Sequence, residues 1–488
     1  MRRLIRSTAL LGVGSAATVV AAILRAKVLA HFLGPQGTGL LAQLSTLTAV
    51  LVPLATLGLG NGVTAMIAAA RARGDAFLAK RVRTTATTLS WLAGLTLAAL
   101  TALASPWLTD ALYHDRAWTW VVLVGAATIP LSAIASLRVS ILQGYEAVKS
   151  MAGLNGIIAA ASVVTIVPLA LFFGLPGAVV QLVIVAAVYL WVSGWLVAKE
   201  TRGAEAGADD EAGSHRIDRS LLRPLLRYGS SALLVGLSST LTLLILRSSL
   251  VSKLGLGPNG IYQVCVGISG LYMPLILNSI TAIVWPQIAA HRSDEETTAT
   301  MRQGLRLGLL LMTAAAGVML AGAPVWVPLF YSGKFLPAID LLPIQFLGDY
   351  FRTIAWMCGI WLVPKNRLRP WVLFDLVYGV AMLVTFWLLV DRVGLKSVVI
   401  AYVVAHISHA VLHYALARKT LRFHVGPDNR RLLLASAVLL GGLTVWTPRD
   451  LVGVGIALVA LAAWAALVVR PDEWRTVWGR VQTRLPMR

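Results

Sequence analysis

The stretch "GSAATVVAAILRAKVLAHFLGPQG", residues 14–37, decides the fold of this chain. It is an apolar run long enough to cross a membrane, because about 20 apolar residues span a hydrocarbon core roughly 30 Å thick. Two basic residues, Arg25 and Lys27, interrupt it. Each such charge costs roughly 2.5–3.5 kcal/mol at a bilayer centre on insertion scales. We therefore expect the two charges to have a function inside the membrane.

The composition of the whole chain agrees with this interpretation. Of its 488 residues, 58% are hydrophobic and only 13% are charged, whereas soluble proteins average about 25% charged residues. The net charge of +21 would indicate nucleic-acid binding in a soluble protein. In a membrane protein it is typical of basic cytoplasmic loops. The sequence thus predicts an all-α polytopic membrane protein without a nucleic-acid partner.

Apolar runs predict about 14 transmembrane helices. They lie near residues 8–33, 38–70, 84–105, 119–142, 151–173, 176–198, 228–254, 260–290, 304–330, 338–363, 370–390, 397–417, 432–448 and 451–470. The loops on one side hold 31 Lys and Arg residues, and those on the other side hold 6. Since basic loops stay in the cytoplasm, both termini are predicted to be cytoplasmic, as an even number of spans requires.

A spacing of G-x3-T-x6-R followed by Gly-Pro-x-Gly occurs twice, beginning at Gly14 and at Gly236. This match places Arg25 in correspondence with Arg247 and indicates an internal duplication. Each half contains six spans, so the repeats are predicted to be parallel. The predicted domains are an N-lobe (1–200), a cytoplasmic linker (201–223), a C-lobe (224–420), two additional spans (421–470) and a cytoplasmic amphipathic tail (471–488).

The repeated Gly, Thr and Arg fall on one helical face, because their offsets are 0, 4 and 11 residues. Two such faces meeting at a pseudo-twofold axis would enclose a water-filled cavity with Arg25 and Arg247 on its wall. Lys27 lies about 200° round the helix from Arg25. In the tenth span, Asp349 and Arg352 are three residues apart and are expected to pair. They are either a neutralised structural pair or part of the cavity.

Further polar residues inside the spans are candidates for cavity or gating roles. They are Asn61, Asn278, Arg138, Asp375 and His406. We expect Arg138, near the end of its span, to extend toward the membrane interface. His406 shares one side of the twelfth span with His409 and His413, which fits structural hydrogen bonding, a proton-sensitive face or, least well, a metal site. No catalytic constellation, phosphate-binding loop, metal site or cofactor site is predicted.

The surplus of buried basic residues favours an anionic cargo, and arginine matches phosphate oxygens bidentately. Two blocks of the sequence also resemble a known family. Residues 26–64, "AKVLAHFLGPQGTGLLAQLSTLTAVLVPLATLGLGNGVT", resemble the opening of Wzx-type polysaccharide flippases. Residues 331–375, "YSGKFLPAIDLLPIQFLGDYFRTIAWMCGIWLVPKNRLRPWVLFD", are similar to the O-antigen and enterobacterial-common-antigen translocase branch. That family belongs to the multidrug/oligosaccharidyl-lipid/polysaccharide (MOP) exporter superfamily. The two extra C-terminal spans instead resemble the lipid II flippase branch.

This resemblance implies two six-helix lobes of the MATE type around a cationic central cavity. It implies a flippase, not an enzyme, that moves undecaprenyl-pyrophosphate-linked oligosaccharide, such as an O-antigen or exopolysaccharide repeat unit, from the cytoplasmic to the periplasmic leaflet. The charged positions that match the family pattern are Arg25, Lys27, Arg247, Asp349 and Arg352. The implied setting is the bacterial inner membrane, with membrane lipids, a polysaccharide polymerase and a chain-length regulator as partners of a monomer.

Two other functions are compatible with a polytopic membrane protein. A multidrug or cation antiporter of the same superfamily would be expected to carry carboxylates in its first helices, and these helices have none. A membrane-embedded glycosyltransferase or polymerase would be expected to have a large external loop, and the longest one here is short, "SPWLTDALYHDRAW". The flippase is therefore the leading hypothesis.

Overall fold

The structure is a computed structural model that describes residues 2–204, 218–446, 450–470 and 473. Within these residues it is built from helices and contains no strand. The α-helices are α1 Arg2–Ala55, α2 Gly60–Ala72, α3 Ala76–Leu103, α4 Ser105–Tyr113, α5 Thr119–Gly144, α6 Val148–Ala204, α7 Arg219–Leu254, α8 Leu256–Ala290, α9 Asp294–Ala321, α10 Ala323–Phe330, α11 Leu342–Gly359, α12 Leu368–Val393, α13 Lys396–Leu421, α14 Pro427–Val445 and α15 Leu451–Val468. Two 3-10 helices, Arg116–Trp118 and Gly333–Asp340, lie between them. Most of the predicted linker and nearly all of the predicted amphipathic tail lie outside the described residues.

Eight of the described helices are long and apolar enough to cross a membrane. Two of them, α1 and α6, each consist of two helical segments joined at a glycine with positive φ, at Gly34 (φ 62°) and Gly174 (φ 57°). A proline follows each glycine within two residues, and a side chain would disfavour the left-handed backbone that both glycines adopt. These breaks coincide with the predicted boundaries between spans one and two and between spans five and six.

The structure differs from the prediction in the second span. Residues 38–70 were expected to form one helix, but the chain turns after Ala55 and resumes as α2. Leu57 and Gly58 both have positive φ, 52° and 66°, and the amide of Gly58 donates to the carbonyl of Pro53 at 3.1 Å. The glycine-rich "LGLGNG" permits this turn. The predicted ninth span is likewise divided, into α9 and α10, at Gly322.

The outward surface of the long helices is apolar. Phe172 and Trp191 on α6 are 75% and 74% exposed, and Val438 on α14 is 74% exposed. Water would disfavour such side chains over whole helices, whereas lipid accommodates them. The chain is therefore an all-α, multi-pass membrane protein.

The contacts divide the chain into two compact units. The first comprises Met1–Gln263 with Phe330–Phe335, and its core contains buried side chains from α1, α5 and α6, such as Leu44, Val121 and Ile166. The second comprises Val264–Leu329 and Leu336–Arg488, with Phe346 and Phe386 buried. The predicted lobes 1–200 and 224–420 stay a prediction.

Candidate functional site

Arg25 lies on α1 and is partly buried. Its Nε is buried and has no hydrogen-bond partner among the described residues. A buried donor without a partner costs free energy, about 1–3 kcal/mol and more when charged. The Nε of Arg247, the corresponding arginine of the repeat, is likewise buried and without a hydrogen-bond partner among the described residues. Lys27, two residues further along α1, is also partly buried.

Arg247, the counterpart of Arg25 in the repeat, has a different environment. It is only 1% exposed, its Nη1 donates to Asn259 Oδ1 at 2.7 Å, and its Nη2 donates to Gln263 Oε1. Its guanidinium carbon also lies 5.4 Å from the ring centre of Tyr262. The side chains of α8 thus enclose this arginine in the first unit. The expectation that both arginines line open space does not describe this conformation, because α8 supplies amide acceptors that hold the second one.

The two Gly-Pro segments of the repeat contact each other directly. Asn259, in the second segment, donates from Nδ2 to the carbonyl of Gly39 at 2.8 Å. A Cβ added to Gly39 would overlap the carbonyl oxygen of Leu256, and one added to Gly260 would overlap the carbonyl of Pro35. The backbones therefore approach so closely that only glycine fits. Sequence analysis identified the repeated segments but not this contact.

Asp349 and Arg352 on α11 do belong to one network in the second unit, linked through a tyrosine. Tyr402 donates from its hydroxyl to Asp349 Oδ1 at 2.8 Å and accepts from Arg352 Nη1 at 3.4 Å. The other oxygen of Asp349 accepts from Ser269 and Tyr272, each at 2.6 Å. Asp349 is fully buried. Three hydroxyl donors thus fix the carboxylate, and Tyr402 is the member that sequence spacing could not predict.

Asp375 on α12 forms part of a second polar cluster with histidines of α13. Its Oδ1 lies 3.4 Å from His409 Nε2, and that nitrogen lies 2.9 Å from His413 Nε2. His406, one turn earlier, contacts the backbone carbonyl of Tyr402 through Nδ1 at 3.0 Å. The histidines predicted to share one side of the helix therefore do so, and Asp375 joins them. Among the described residues, no group of three or more His, Cys, Asp or Glu side chains is arranged to hold a metal ion.

The remaining candidates, Arg138, Asn61 and Asn278, differ in their burial and in their contacts. Arg138 donates from Nη1 to the carbonyl of Leu190 on α6 at 2.6 Å and lies against Gly194, which leaves room for the guanidinium. A helix carbonyl thus holds Arg138, and the expectation that it extends toward the membrane interface stays a prediction. Asn61 on α2 and Asn278 on α8 are exposed.

An apolar groove lies between α14 and α15 in the second unit. Its volume is about 430 Å³. Small residues and two tryptophans line much of it, including Ala435, Gly442, Ala460, Trp446 and Trp464. Trp464 is fixed by a hydrogen bond from its Nε1 to Ser436 Oγ at 3.1 Å.

Just after α15, an ion pair connects the chain to α9. Arg306 donates to Glu473 through Nε at 2.6 Å and through Nη2 at 2.8 Å. These hydrogen bonds lower the pKa of the Glu473 carboxyl below its usual value. The pair holds the segment that follows α15 against α9.

The helix order and the long broken helices define a class of membrane transporter. One similar solved structure is an inward-facing multidrug resistance transporter of the MATE family, from the MOP superfamily. It superposes with a TM-score of 0.72 at 17% identity, and the superposition covers 83% of this chain and 94% of that chain. The lipid II flippase MurJ, in an inward closed conformation, superposes with a TM-score of 0.70 at 13% identity and covers 97% of this chain and all of its own length (100%). The second match must include residues of α14 and α15.

The chain belongs to the family described as polysaccharide biosynthesis protein, whose model matches residues 4–292. It is 23% identical over 401 residues to the lipid III flippase of Escherichia coli (strain K12), which covers 79% of this chain and 91% of that protein. The lipid III flippase of Shigella flexneri matches to the same extent. The predicted membership of a polysaccharide biosynthesis family is confirmed, and the predicted MATE-type fold agrees with both superpositions.

Proposed function

We propose that this protein is a flippase that moves polyprenyl-pyrophosphate-linked oligosaccharide from the cytoplasmic to the periplasmic leaflet. Its membership of the polysaccharide biosynthesis family carries the proposal. The similarity to lipid III flippases over most of both chains supports a lipid-linked glycan as cargo. We further propose that the lipid is undecaprenyl and that the glycan is an O-antigen or exopolysaccharide repeat unit.

The pyrophosphate is proposed to bind at Arg25. Its buried, unpartnered Nε is a donor for which the protein provides no acceptor, and a guanidinium pairs well with phosphate oxygens. Lys27, two residues further along α1, is proposed to add positive charge near Arg25. Within the second unit, Arg352 is proposed as a further cargo-binding residue, and Asp349 orients it through Tyr402. Arg247 has amide partners in the described conformation and would reach the cargo only after they release it.

Alternating access is proposed to open and close the contact between the two Gly-Pro segments. The predicted positive-inside orientation supports a periplasmic location for this contact. Its hydrogen bond from Asn259 to Gly39 and its close backbone packing would separate in the outward-open state. Asn61 and Asn278, which are exposed on α2 and α8, are proposed to face the hydrated path of the sugars.

The polyprenyl tail is proposed to lie in the apolar groove between α14 and α15 while the sugars cross. The groove is lined by apolar side chains throughout, which suits a hydrocarbon chain. The predicted cellular context is the bacterial inner membrane, with both termini cytoplasmic, a polymerase and a chain-length regulator as neighbours, and a monomeric transporter.

Complementation of a bacterial strain that lacks its lipid III flippase tests this function. Expression of the chain is expected to restore surface glycan, and Arg25→Gln is expected to abolish the restoration at equal protein level. Arg392→Gln is the matched control, because Arg392 is an exposed arginine in the last turn of α12. Drug resistance without glycan restoration would favour a multidrug antiporter and contradict the flippase.

A further inference from the structure

We propose that Asp375, His409 and His413 form an intramembrane site for one exchangeable proton, and that its exchange is coupled to transport. Asp375 lies seven residues after the start of α12, about 10 Å along the helix, and His413 lies eight residues before the end of α13, about 12 Å along it. Both positions are well inside the membrane-spanning segments. Nothing in the proposed cargo path uses these residues.

The positions of the atoms require one shared proton. His409 Nε2 lies between two acceptors, Asp375 Oδ1 at 3.4 Å and His413 Nε2 at 2.9 Å. Two ring nitrogens approach this closely only when one of them carries a hydrogen. If Asp375 is ionised, a lone pair on His409 Nε2 would face a carboxylate, so that nitrogen carries the hydrogen and donates to His413.

Charge balance requires a second, exchangeable proton. Apart from the residues in the first and last turns of α11, α12 and α13, the formally charged side chains of these helices are Asp349, Arg352 and Asp375. With neutral histidines they sum to one negative charge, and an uncompensated charge is costly inside a membrane. Uptake of one proton forms a single O–H or N–H bond and makes the cluster neutral. Release of the proton breaks that bond.

The surroundings decide where this proton resides. His413 Nε2 accepts the hydrogen of His409 Nε2, so a neutral His413 carries its own hydrogen on Nδ1, and a second hydrogen on Nε2 would face the one on His409. The side chains of Asp375 and His409 are 11% and 16% exposed. The proton therefore exchanges on the Asp375–His409 side, where both side chains are partly exposed.

The groups facing the site come from every helix packed against α13. From α11, the charge of Arg352 acts on His406 and His409, and Asp349 is bound by Tyr402. From α12, the ring of Tyr378 lies 4.8 Å from His406 and 5.7 Å from His409 between ring centres. On the side of α9, Arg306 is engaged by Glu473. The positive charge of Arg352 and the carboxylate of Asp375 thus both act on the His409 ring.

The transport part of the proposal rests on the proposed function and is tested in proteoliposomes. A polyprenyl-pyrophosphate-linked oligosaccharide is the probe, the membrane potential is held at zero, and a gradient of one pH unit is imposed. Exchange of one proton against one lipid should enrich the lipid about tenfold in the leaflet facing the acidic side, because one pH unit corresponds to a factor of ten. Asp375→Asn and His409→Gln should give equal leaflets while still moving lipid, and the exposed control His424→Gln should keep the tenfold ratio.

A wild-type protein that moves lipid but leaves the leaflets equal, or an Asp375→Asn variant that keeps the tenfold ratio, would overturn the coupling and leave the flippase intact. A separate measurement needs no cargo. Infrared difference spectra of the full-length protein between pH 5 and pH 9 should contain a carboxylic-acid band that disappears in Asp375→Asn. A spectrum that has neither this band nor a pH-dependent imidazole band that His409→Gln removes contradicts the proton site, whether or not the protein flips lipid.

Discussion

The contact between the two repeats predicts a large loss of stability for Asn259→Leu. This substitution removes the acceptor of Arg247 Nη1 and the donor to the Gly39 carbonyl. A hydrogen bond to a charged group contributes about 1.5–3 kcal/mol and a neutral one about 0.5–1.5 kcal/mol. Together these terms amount to a loss of about 2–4.5 kcal/mol, and the buried guanidinium left behind places the result toward the upper end.

Thermal unfolding of the purified protein measures this loss. A destabilisation of that size should lower Tm by at least about 4 °C, at roughly 2–4 °C per kcal/mol for a unit of this length. Asn278→Leu is the matched control, since it changes the same residue type on the same helix at an exposed position, where the effect should stay within about 0.5 kcal/mol. Equal Tm values for the two variants would refute the assignment of Asn259 as the residue that joins the repeats.

Three further predictions concern Gly39, the groove between α14 and α15, and the ion pair of Arg306 with Glu473. Gly39→Ala should destabilise the protein by about 1–3 kcal/mol in thermal unfolding, because its Cβ overlaps the Leu256 carbonyl. Gly153→Ala, whose Cβ would meet nothing within 4 Å, should be neutral or slightly stabilising, and equal losses would be inconsistent with the close approach. Gly442→Leu should fill the groove between α14 and α15 and slow transport of a long-tailed lipid several-fold, measured in proteoliposomes. Gly441 lies beside the groove but is not among its lining residues, so Gly441→Leu should leave the transport rate unchanged. Equal transport rates for the two variants would contradict a role of the groove in transport. Because Arg306 holds the pKa of Glu473 below its usual value, the ion pair stabilises the folded state at neutral pH and this contribution disappears as pH falls through the folded pKa. The Tm difference between wild type and Glu473→Gln should accordingly shrink toward zero in acid, and a difference that grows there would contradict the assignment.

Much of the fold follows from hydrophobic run length, because a helix that crosses lipid must be apolar over a nearly fixed distance. The breaks at Gly34 and Gly174 were placed correctly, since glycine followed closely by proline ends a helix regardless of its partners. The turn at Leu57 and Gly58 was missed. Its sequence is as apolar as the helix around it, and hydropathy does not register backbone conformation.

The site was less predictable because it depends on contacts between distant helices. Spacing along α13 correctly brought three histidines to one side, yet Asp375 joins them from α12, a neighbour that spacing does not specify. The repeat indicated that Arg25 and Arg247 correspond, but the amides that enclose Arg247 have no equivalent signal in a single sequence. Periodicity describes one helix at a time, whereas burial of a charge is decided by its neighbours.

The most direct test of the central claim is the rate at which the reconstituted protein moves a polyprenyl-pyrophosphate-linked oligosaccharide between leaflets. The measurement compares wild type, Arg25→Gln and Arg392→Gln at equal protein density. If Arg25 binds the pyrophosphate, its variant should be slower by at least about tenfold, equivalent to one charge-assisted hydrogen bond of about 1.4 kcal/mol or more. The Arg392→Gln variant should match wild type. An Arg25→Gln protein that flips the lipid at the wild-type rate would contradict the cationic binding site.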